Sequence, residues 1–367
     1  MAHRVVLVPG DGVGPEVMEA ARRAVEATGA AIDWDVQLAG QAAREQLGSP
    51  LPPETVMAIR DAGAALKGAT TSGGPGPGPA SANVELRRAL DLHLGVRPAR
   101  SIDGAVGARP GIDLVLASMI QEDLYAGVSL AAGSDQARAL RELVMAGSEL
   151  EAAGEAGLSI KFMTRLGAER IVRTGLAWAG AAGRLRVTVV HRADELPATD
   201  GLFLEAARAV ARDFRGVTLD DLPLDVALHE LDRRPGLLDV LLVPPGYAGL
   251  LTGLISPLVG GVGMLPRANL GSEAAVFDTV HGSALAHAGR GSANPIAQIL
   301  AGAMLLRHLG EDERADRLEA SVEQVVAEGA ALTRDVAAGS HAASTAEVAD
   351  AIVAGLAGEG RTATLGA

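Results

Sequence analysis

Short segments typical of buried β-strands alternate with amphipathic segments typical of helices along most of this chain. Residues 5–8 form a strand-like apolar run, and after a Gly/Pro turn the amphipathic stretch 16–28 follows. Residues 185–190 and the helix-like stretch 201–213 repeat the pattern. Such alternation is typical of an architecture in which helices cover a largely buried sheet, so we predict an α/β fold.

The composition excludes several functional classes. Of 367 residues, 48% are hydrophobic and 21% are charged, which favours a large core, in two domains or one two-lobed unit, over disorder. The net charge of −13 argues against nucleic acid as a partner, because phosphate binding needs clustered cations. The absence of cysteine excludes disulfides, thiolate metal sites and cysteine nucleophiles. The N-terminal apolar run is too short for a signal peptide and longer apolar stretches are interrupted by Pro and Gly, so we expect a cytoplasmic protein without a membrane partner.

A glycine-rich loop at residues 9–16 lies between the first strand-like run and the first helix-like stretch. Phosphate-binding loops occupy this position, but the spacing here is G-x-G-x-G and not the G-x-G-x-x-G of a Rossmann turn. A tight turn whose glycines adopt positive φ explains the pattern equally well, and local chemistry leaves both interpretations open. The Gly/Pro-rich residues 73–80 predict a second loop, and residues 293–309 predict an apolar helix that begins near Asn294 and Pro295.

A series of further motifs follows in order along the chain. They are residues 67–71 (Lys-Gly-Ala-Thr-Thr), 81–87 (Ser-Ala-Asn-Val-Glu-Leu-Arg), 96–98 (Val-Arg-Pro), 122–127 (Glu-Asp-Leu-Tyr-Ala-Gly), 190–193 (Val-His-Arg-Ala), 199–203 (Thr-Asp-Gly-Leu-Phe), 280–284 (Val-His-Gly-Ser-Ala), 293–295 (Ala-Asn-Pro) and 307–310 (Arg-His-Leu-Gly). In this order they resemble the isocitrate/isopropylmalate dehydrogenase family, the metal-dependent β-decarboxylating dehydrogenases.

The resemblance implies an isopropylmalate-dehydrogenase-like two-lobed fold, with a central mixed sheet flanked by helices. Residues 1–103 and 256–367 would form a large cofactor-binding lobe. Residues 104–255 would form a small lobe that carries the dimer interface. The family dimerises through this second lobe, so we expect a homodimer with shared active sites.

The resemblance also implies an anionic small-molecule substrate. In the family, three arginines and a divalent metal hold a 2-hydroxy acid, hydride passes to NAD or NADP, and the β-keto acid then loses carbon dioxide. The positions that match the family's substrate-binding residues are Ser81, Asn83, Arg87 and Arg97. The third arginine should stand seven residues before Tyr125, where this chain has Ser118, so one cation is expected to be missing.

Departures from the family also fall on the catalytic and metal positions. Tyr125 is kept, but the position of the catalytic lysine holds Arg192, which stays protonated and is a poor general acid or base. Asp225 matches one metal-binding aspartate, whereas the other two positions, 24 and 28 residues further on, hold Gly249 and Gly253. One carboxylate does not build a cage for a hard cation, so we expect no bound Mg²⁺ or Mn²⁺.

The cofactor side matches the family better. The implied cofactor-binding positions are Thr70, Asp278, His281, Gly282, Ser283, Ala284, His287 and Asn294. In the NAD-using relatives an aspartate that binds the adenosine ribose follows this run, and the matching position here is Ala286. The loss of that carboxylate removes repulsion against a 2′-phosphate, so the sequence leaves NAD and NADP open.

These observations support three hypotheses. The first is a diverged, metal-independent NAD(P)-dependent dehydrogenase that oxidises a hydroxyl group on an anionic small molecule without efficient decarboxylation, with Tyr125, Arg192 and Asp225 as catalytic residues. The second is a non-catalytic pseudoenzyme or regulatory homologue that binds nucleotide or acid. The third is an ordinary isopropylmalate- or isocitrate-type dehydrogenase with relocated metal ligands.

Overall fold

The apolar runs of the sequence form central strands of one ten-stranded mixed sheet in the computed structural model. The structure describes residues 2–71, 81–146, 154–339 and 342–364, with side chains as far as residue 358. The loop predicted at residues 73–80 lies outside the described residues. The α/β fold class predicted from the sequence is confirmed.

The strands are β1 (His3–Val8), β2 (Ile32–Val36), β3 (Ala64–Lys67), β4 (Leu94–Arg100), β5 (Asp113–Met119), β6 (Ser129–Leu130), β7 (Leu158–Ser159), β8 (Arg186–His191), β9 (Thr218–Pro223), β10 (Val240–Val243), β11 (Pro266–Leu270) and β12 (Ala275–Thr279). The helices are α1 (Gly14–Ala27), α2 (Gln41–Leu47), α3 (Pro53–Ala62), α4 (Ala82–Ala89), α5 (Asp135–Ala146), α6 (Arg165–Ala181), α7 (Leu202–Ala211), α8 (Leu224–Arg233), α9 (Pro245–Leu258), α10 (Ile296–His308), α11 (Asp312–Glu328) and α12 (Thr345–Thr364).

The sheet has the strand order β2-β1-β3-β12-β11-β4-β5-β10-β8-β9. Neighbouring strands are parallel except at the centre, where β12, β11, β4 and β5 form three antiparallel pairs. Strands buried on both faces have continuous apolar sequences, as the fully buried β10 shows. Strands β6 and β7 form a separate two-stranded antiparallel sheet.

The two predicted lobes share this one sheet. Strands from residues 1–103 and 256–367 occupy one end and strands from residues 104–255 the other, and they meet where β4 pairs with β5. The lobe boundaries themselves stay a prediction. Within the described residues, no helix combines the length and hydropathy needed to cross a membrane.

The helix predicted over residues 293–309 is α10, which begins two residues later than Asn294. Pro295 is its N-cap rather than its first helical residue. The side-chain oxygen of Asn294 accepts a hydrogen bond from the amide of Ile296 at 3.0 Å. Asn294 thus satisfies one of the free amides at the start of the helix.

Candidate functional site

The glycine-rich loop at residues 9–16 is a tight junction between three chain segments. Gly10 and Gly12 have φ angles of 79° and 61°, which favour glycine. A Cβ on Gly12 would lie 1.9 Å from the carbonyl oxygen of Ser283, and one on Gly10 would lie 2.4 Å from that of Ala69. Backbone hydrogen bonds join Val13 to Ser283 and Asp11 to Ala69. The geometry therefore supports the tight-turn interpretation of these glycines.

The carboxylate of Asp11 joins this loop to two other segments. It accepts hydrogen bonds from the amides of Gln41 at 2.9 Å and Ala42 at 3.1 Å, at the beginning of α2. It also accepts one from the amide of Thr71 at 2.6 Å. Asp11 is thus occupied in holding the loops together, beside the predicted cofactor residues Thr70 and Ser283.

Four charged side chains cross the neighbouring strands β3, β12, β11 and β4. We call them the charged row: Lys67, Asp278, Arg267 and Arg97. Arg267 pairs in register with Asp278. On β12 and β3, Phe277 pairs with Leu66, so the next residues, Asp278 and Lys67, lie side by side. On β11 and β4, Ala268 pairs with Val96, so Arg267 lies beside Arg97. Cross-strand neighbours point to the same face of a sheet, so all four side chains project from one face.

A bidentate ion pair anchors the charged row. Nε and Nη2 of Arg267 each lie 2.7 Å from one oxygen of Asp278. Lys67 Nζ lies 3.3 Å from the same carboxylate, and Asn269 donates a hydrogen bond to it at 3.0 Å. Burial alone would raise the pKa of Asp278, but Arg267 and Lys67 outweigh burial and hold that pKa well below its usual range. Asp278 was predicted to contact the cofactor, and any such contact competes with these partners.

Arg97 and Arg87 lie beside Arg267, and we call these three side chains the guanidinium cluster. Arg97 is 8% exposed and donates a hydrogen bond from Nη1 to Ser118 at 2.9 Å. Arg87 is on α4 and has no hydrogen-bond partner among the described residues. Burial, together with the charge of Arg267, lowers the pKa of Arg97 to about 9 and that of Arg87 to about 10. The described residues therefore leave most of the positive charge of this cluster unpaired.

Tyr125 is close enough to the guanidinium cluster to interact with it. Its phenol interacts electrostatically with Arg87, Arg97 and Arg267. Tyr125 is 43% exposed, and its backbone oxygen accepts a hydrogen bond from Arg88. The structure thus brings together three residues predicted from the sequence, Tyr125, Arg87 and Arg97.

A second buried cluster lies beside the segment that carries Tyr125. We call it the lysine–carboxylate cluster: Asp123, Lys161, Asp200 and Tyr247. Both carboxylates are fully buried. Lys161 Nζ lies 2.6 Å from Asp200 and 3.5 Å from Asp123. Tyr247 donates a hydrogen bond to Asp200 at 2.6 Å, and burial together with Asp200 raises the pKa of Tyr247. Tyr247 stays protonated, so Tyr125 is the candidate proton acceptor among the two tyrosines of the chain.

Arg192 lies at the edge of the lysine–carboxylate cluster but does not meet Tyr125 within one chain. Its backbone amide donates to Asp200 at 2.8 Å, while its exposed guanidinium pairs with Glu195 at 3.1 Å. The charge of Asp225 acts on Arg192, although no ion pair joins them among the described residues. The predicted action of Arg192 and Asp225 on the partner's site stays a prediction.

The metal-binding positions of the family do not form a cation site in this chain. Gly249 and Gly253 lie on α9 and supply no ligand, and a Cβ at either position would meet no atom within 4 Å. Asp225 lies in the first turn of α8 and is the acidic residue of that turn. In the part of the chain that the structure describes, no group of three or more His, Asp or Glu side chains is arranged to hold a metal ion.

Two of the predicted cofactor residues, Thr70 and Ser283, lie in adjacent segments, and two others, Ala284 and His287, follow Ser283 along the chain. Thr70 donates a hydrogen bond to Asn83 at 3.0 Å, and Thr71 donates one to Ser283 at 3.0 Å, so the segments 70–71, 83 and 283 are adjacent. Ala284 has a positive φ of 40°, and His287 is exposed on the short helical turn Leu285–His287 that follows it. Ser81 begins α4, and its backbone oxygen accepts from Val84 and Glu85.

His281 offers an atom that fits a bound nucleotide. Its Nδ1 lies 3.0 Å from the carbonyl oxygen of Gly282, while its buried Nε2 has no hydrogen-bond partner among the described residues. Burial lowers the pKa of His281, which keeps the ring neutral near pH 7. With the proton on Nδ1, Nε2 is a free acceptor. Asn294, by contrast, donates to Asp335 at 3.0 Å, so both ends of its amide are engaged within the fold.

A cavity of about 790 Å³ lies on the opposite face of the same central strands. Pro98, Ala268 and Phe277 point into it because each alternates along its strand with a residue of the charged row. Its rim is made of ion pairs, namely Arg100–Glu323, Arg184–Asp113 and Arg307–Glu319. Since these charges already pair with one another, the cavity lacks the unpaired cations of the guanidinium cluster.

Sequence reasoning missed Lys67, Arg267, Lys161 and Asp200 as site residues. A signal was present, because the chain has only two lysines, and both lie beside buried carboxylates: Lys67, which is buried, and Lys161, which is partly buried. Arg267 interrupts an otherwise uncharged strand, Pro-Arg-Ala-Asn-Leu. A charged residue within a buried strand needs a partner, which makes it a candidate for a site.

Comparison with known proteins identifies the family of this chain. The sequence profile of the family described as isocitrate/isopropylmalate dehydrogenase matches residues 4–352. The chain is 38% identical over 330 residues to an isocitrate/homoisocitrate dehydrogenase of Thermus thermophilus, with 90% of this chain and 92% of that relative covered. It is 33% identical over 361 residues to a regulatory subunit of the mitochondrial NAD isocitrate dehydrogenase of Arabidopsis thaliana, with 96% and 89% covered.

A solved structure is similar over nearly the whole chain. The crystal structure of isocitrate dehydrogenase from Methylococcus capsulatus superposes with a TM-score of 0.87 at 39% identity, covering 96% of this chain and 99% of that one. The mixed central sheet is thus shared as well as the sequence motifs. This chain belongs to the isocitrate/isopropylmalate dehydrogenase family.

Proposed function

We propose that this member of the family is a metal-independent NAD(P)-dependent dehydrogenase that oxidises a hydroxyl group on an anionic small molecule, without efficient decarboxylation. The observation that carries the proposal is the guanidinium cluster beside Tyr125. Arg87 and Arg97 present donors that the described residues do not use, and arginine forks match carboxylates in shape and charge. The phenol of Tyr125, next to this cluster, would reach the hydroxyl of an acid bound there.

The protein's own groups perform two tasks in this proposal. Arg87 and Arg97 bind and orient the carboxylates of the substrate. Tyr125, in its phenolate form beside the guanidinium cluster, accepts the proton of the substrate hydroxyl as the substrate is oxidised and becomes a neutral phenol. General acid–base groups of this kind contribute about 10²–10⁴-fold to a rate. In the proposed homodimer, Arg192 and Asp225 of the partner subunit add charge to the same site.

The residues around the 281–287 segment support a nicotinamide dinucleotide as the cofactor. The Nε2 of His281, the open space at Gly282 and the hydroxyls of Thr70 and Ser283 would hold its adenosine portion. When bound, the nicotinamide ring supplies the acceptor for the hydride. Ala286 and the exposed His287 leave room for a 2′-phosphate, so both NAD and NADP belong in the test.

The residues present do not fit a catalytic magnesium or manganese ion. Asp225 is the one carboxylate kept from the family's metal-binding set, because Gly249 and Gly253 have no side chains. A divalent cation stabilises the enolate that forms when a β-keto acid loses carbon dioxide. With these residues we expect oxidation to proceed and decarboxylation to be slow.

The test is a nicotinamide absorbance assay with both cofactors over hydroxy acids that carry one, two or three carboxylates. Each reaction is run with Mg²⁺ and with a chelator, and the product is analysed for the intact keto acid. Turnover that survives the chelator and yields a keto acid supports the proposal. Turnover that requires Mg²⁺ and releases carbon dioxide supports instead an ordinary family dehydrogenase with relocated metal ligands, and contradicts the proposal.

The Tyr125→Phe variant tests the assigned proton acceptor. We expect kcat to fall about 100-fold or more, since the variant removes the acceptor and leaves the guanidinium cluster in place. The KM of the substrate should change little. A variant that turns over at the unchanged rate shows that another group accepts the proton.

The similarity to a regulatory subunit favours a second candidate function. A non-catalytic homologue would use the same guanidinium cluster to bind an acid and the 281–287 segment to bind a nucleotide. It would show saturable binding of NADH and of hydroxy acids in calorimetry with no turnover in any combination. The absorbance assay and the calorimetry together separate the two candidates.

A further inference from the structure

The guanidinium cluster contains two arginines side by side on neighbouring strands. The register of β11 and β4 brings Arg267 next to Arg97 on one face of the sheet. Like charges directly opposite each other on neighbouring strands destabilise a sheet. Both side chains are largely buried here, where repulsion is screened less than in water. A feature of the site must therefore favour keeping the pair.

The charges around Arg267 do not balance within the protein. The charged row and Arg87 together hold four cations, and Asp278 is their one carboxylate partner among the described residues. Asp278 occupies Nε and Nη2 of Arg267, and no described residue engages Nη1. Among the described residues, Arg97 donates a side-chain hydrogen bond only from Nη1, to Ser118. A purely structural ion pair would need Arg267 and Asp278 alone, and the surplus of donors points to an anionic ligand.

Ser118 connects this surplus to the substitution found in the sequence. It stands where the family has its third substrate arginine, and its hydroxyl instead accepts a hydrogen bond from Arg97. The cation expected to be missing at position 118 is therefore replaced by one from another strand, β11. Arg267 supplies a third guanidinium from β11, held in place by Asp278.

We propose that Arg267 is a third anion-binding arginine, and that with Arg87 and Arg97 it selects ligands that carry at least two carboxylates. This proposal rests on the proposed function only in taking an acid as the ligand of this site. Arg267 Nη1 and the free donors of Arg97 bind a second carboxylate between them and relieve the repulsion of the two guanidinium groups. Asp278 fixes the plane of Arg267 and keeps its free edge toward the ligand.

The test is calorimetric binding of citrate, malate and lactate, in the absence of cofactor, to wild type and to variants. Arg267→Gln paired with Asp278→Asn removes the ion pair. Asn keeps the shape of Asp, and Gln is a shorter, uncharged polar side chain. We expect this double variant to bind citrate and malate about 10- to 100-fold more weakly, as for the loss of a charge-assisted hydrogen bond. Lactate, with one carboxylate, should lose less than about threefold. Arg267→Lys should be intermediate, because lysine keeps the charge but not the fork.

The matched control is Arg100→Gln, which removes an arginine from β4 whose side chain points to the opposite face of the sheet. It should bind all three acids as wild type does. The proposal is wrong if the double variant binds citrate and malate unchanged, or if it weakens lactate by the same factor. This test measures no turnover. If the wild type is inactive but the double variant weakens citrate and malate binding as expected, the dehydrogenase proposal is contradicted and this one is not.

A measurement on wild type alone covers the case of a double variant that does not fold. At matched ionic strength, the melting temperature should rise more with citrate and with malate than with lactate, because only the first two engage Arg267. An equal rise with all three acids, or no rise with any, overturns the proposal.

Discussion

The guanidinium groups of Arg97 and Arg87 carry their charge in surroundings that oppose it. Burial, followed by the charge of Arg267, lowers the pKa of Arg97 to about 9 and that of Arg87 to about 10. Both groups are charged at pH 7, and an anion that binds between them raises both pKa values. Ligand binding is therefore linked to protonation of these two side chains.

The linkage predicts the pH dependence of anion binding. Below pH 9 the free protein already holds both protons, so the affinity for citrate should be constant between pH 7 and about pH 8.5. Above pH 9 the free protein loses the charge of Arg97, and the affinity should fall by up to about tenfold for each pH unit. Calorimetry with citrate between pH 7 and pH 10.5 measures this fall.

Tyr125→Phe is the control for this measurement, because the phenol is an ionisable group that interacts with both arginines. Tyr125→Phe should show the same fall in affinity if the arginines are responsible. A flat profile to pH 10.5 in wild type would show that Arg97 keeps its proton, and a profile that becomes flat only in Tyr125→Phe would assign the titration to the phenol.

At the scale of single elements, the loop that follows β1 depends on glycine for close contact. Gly12→Ala combines a left-handed backbone, unfavourable by about 1–2 kcal/mol, with a Cβ placed 1.9 Å from the backbone of Ser283. Overpacking adds about 1–3 kcal/mol or more, so we expect a total loss of about 3 kcal/mol in the free energy of unfolding. Urea denaturation followed by circular dichroism measures the loss.

Gly29→Ala is the matched control, since Gly29 also has a positive φ, of 81°, but a Cβ there would meet no atom within 4 Å. It should lose only the backbone strain, about 1–2 kcal/mol. Equal losses for the two variants would show that the contact between the loop and residue 283 contributes nothing.

The elements with continuous apolar sequences were predictable because a run of consecutive apolar residues by itself indicates a buried strand. Residues 5–8 and the fully buried β10 are of this kind. The glycine-rich loop was ambiguous, because its contacts are with Ala69 and Ser283, which are distant in the sequence.

The candidate site was predictable only where it matched family motifs. Tyr125, Arg87 and Arg97 were found in this way. Arg267 was not found, because its neighbours depend on strand register, which places it between Asp278 and Arg97. The expectation that a cation is missing followed from the position of Ser118 alone.

At the scale of the whole molecule, the proposed site depends on a dimer. Tyr125 interacts with the guanidinium cluster, whereas Arg192 pairs with Glu195, and no hydrogen bond or ion pair joins Arg192 to Tyr125 among the described residues of one chain. If both act on one substrate, they come from different subunits. A homodimer then has two sites, each built from Tyr125 of one subunit and Arg192 of the other.

Hybrid dimers test this arrangement. Tyr125→Phe and Arg192→Gln should each inactivate both sites of a homodimer, but a hybrid of the two has one site with both changes and one site with neither. Random reassociation makes about half of the dimers hybrids, so about a quarter of wild-type activity should return on mixing. The nicotinamide absorbance assay after dissociation and reassociation measures the recovery, and each variant treated alone is the control. If the mixture stays as inactive as the separate variants although hybrids form, Tyr125 and Arg192 belong to the same subunit's site.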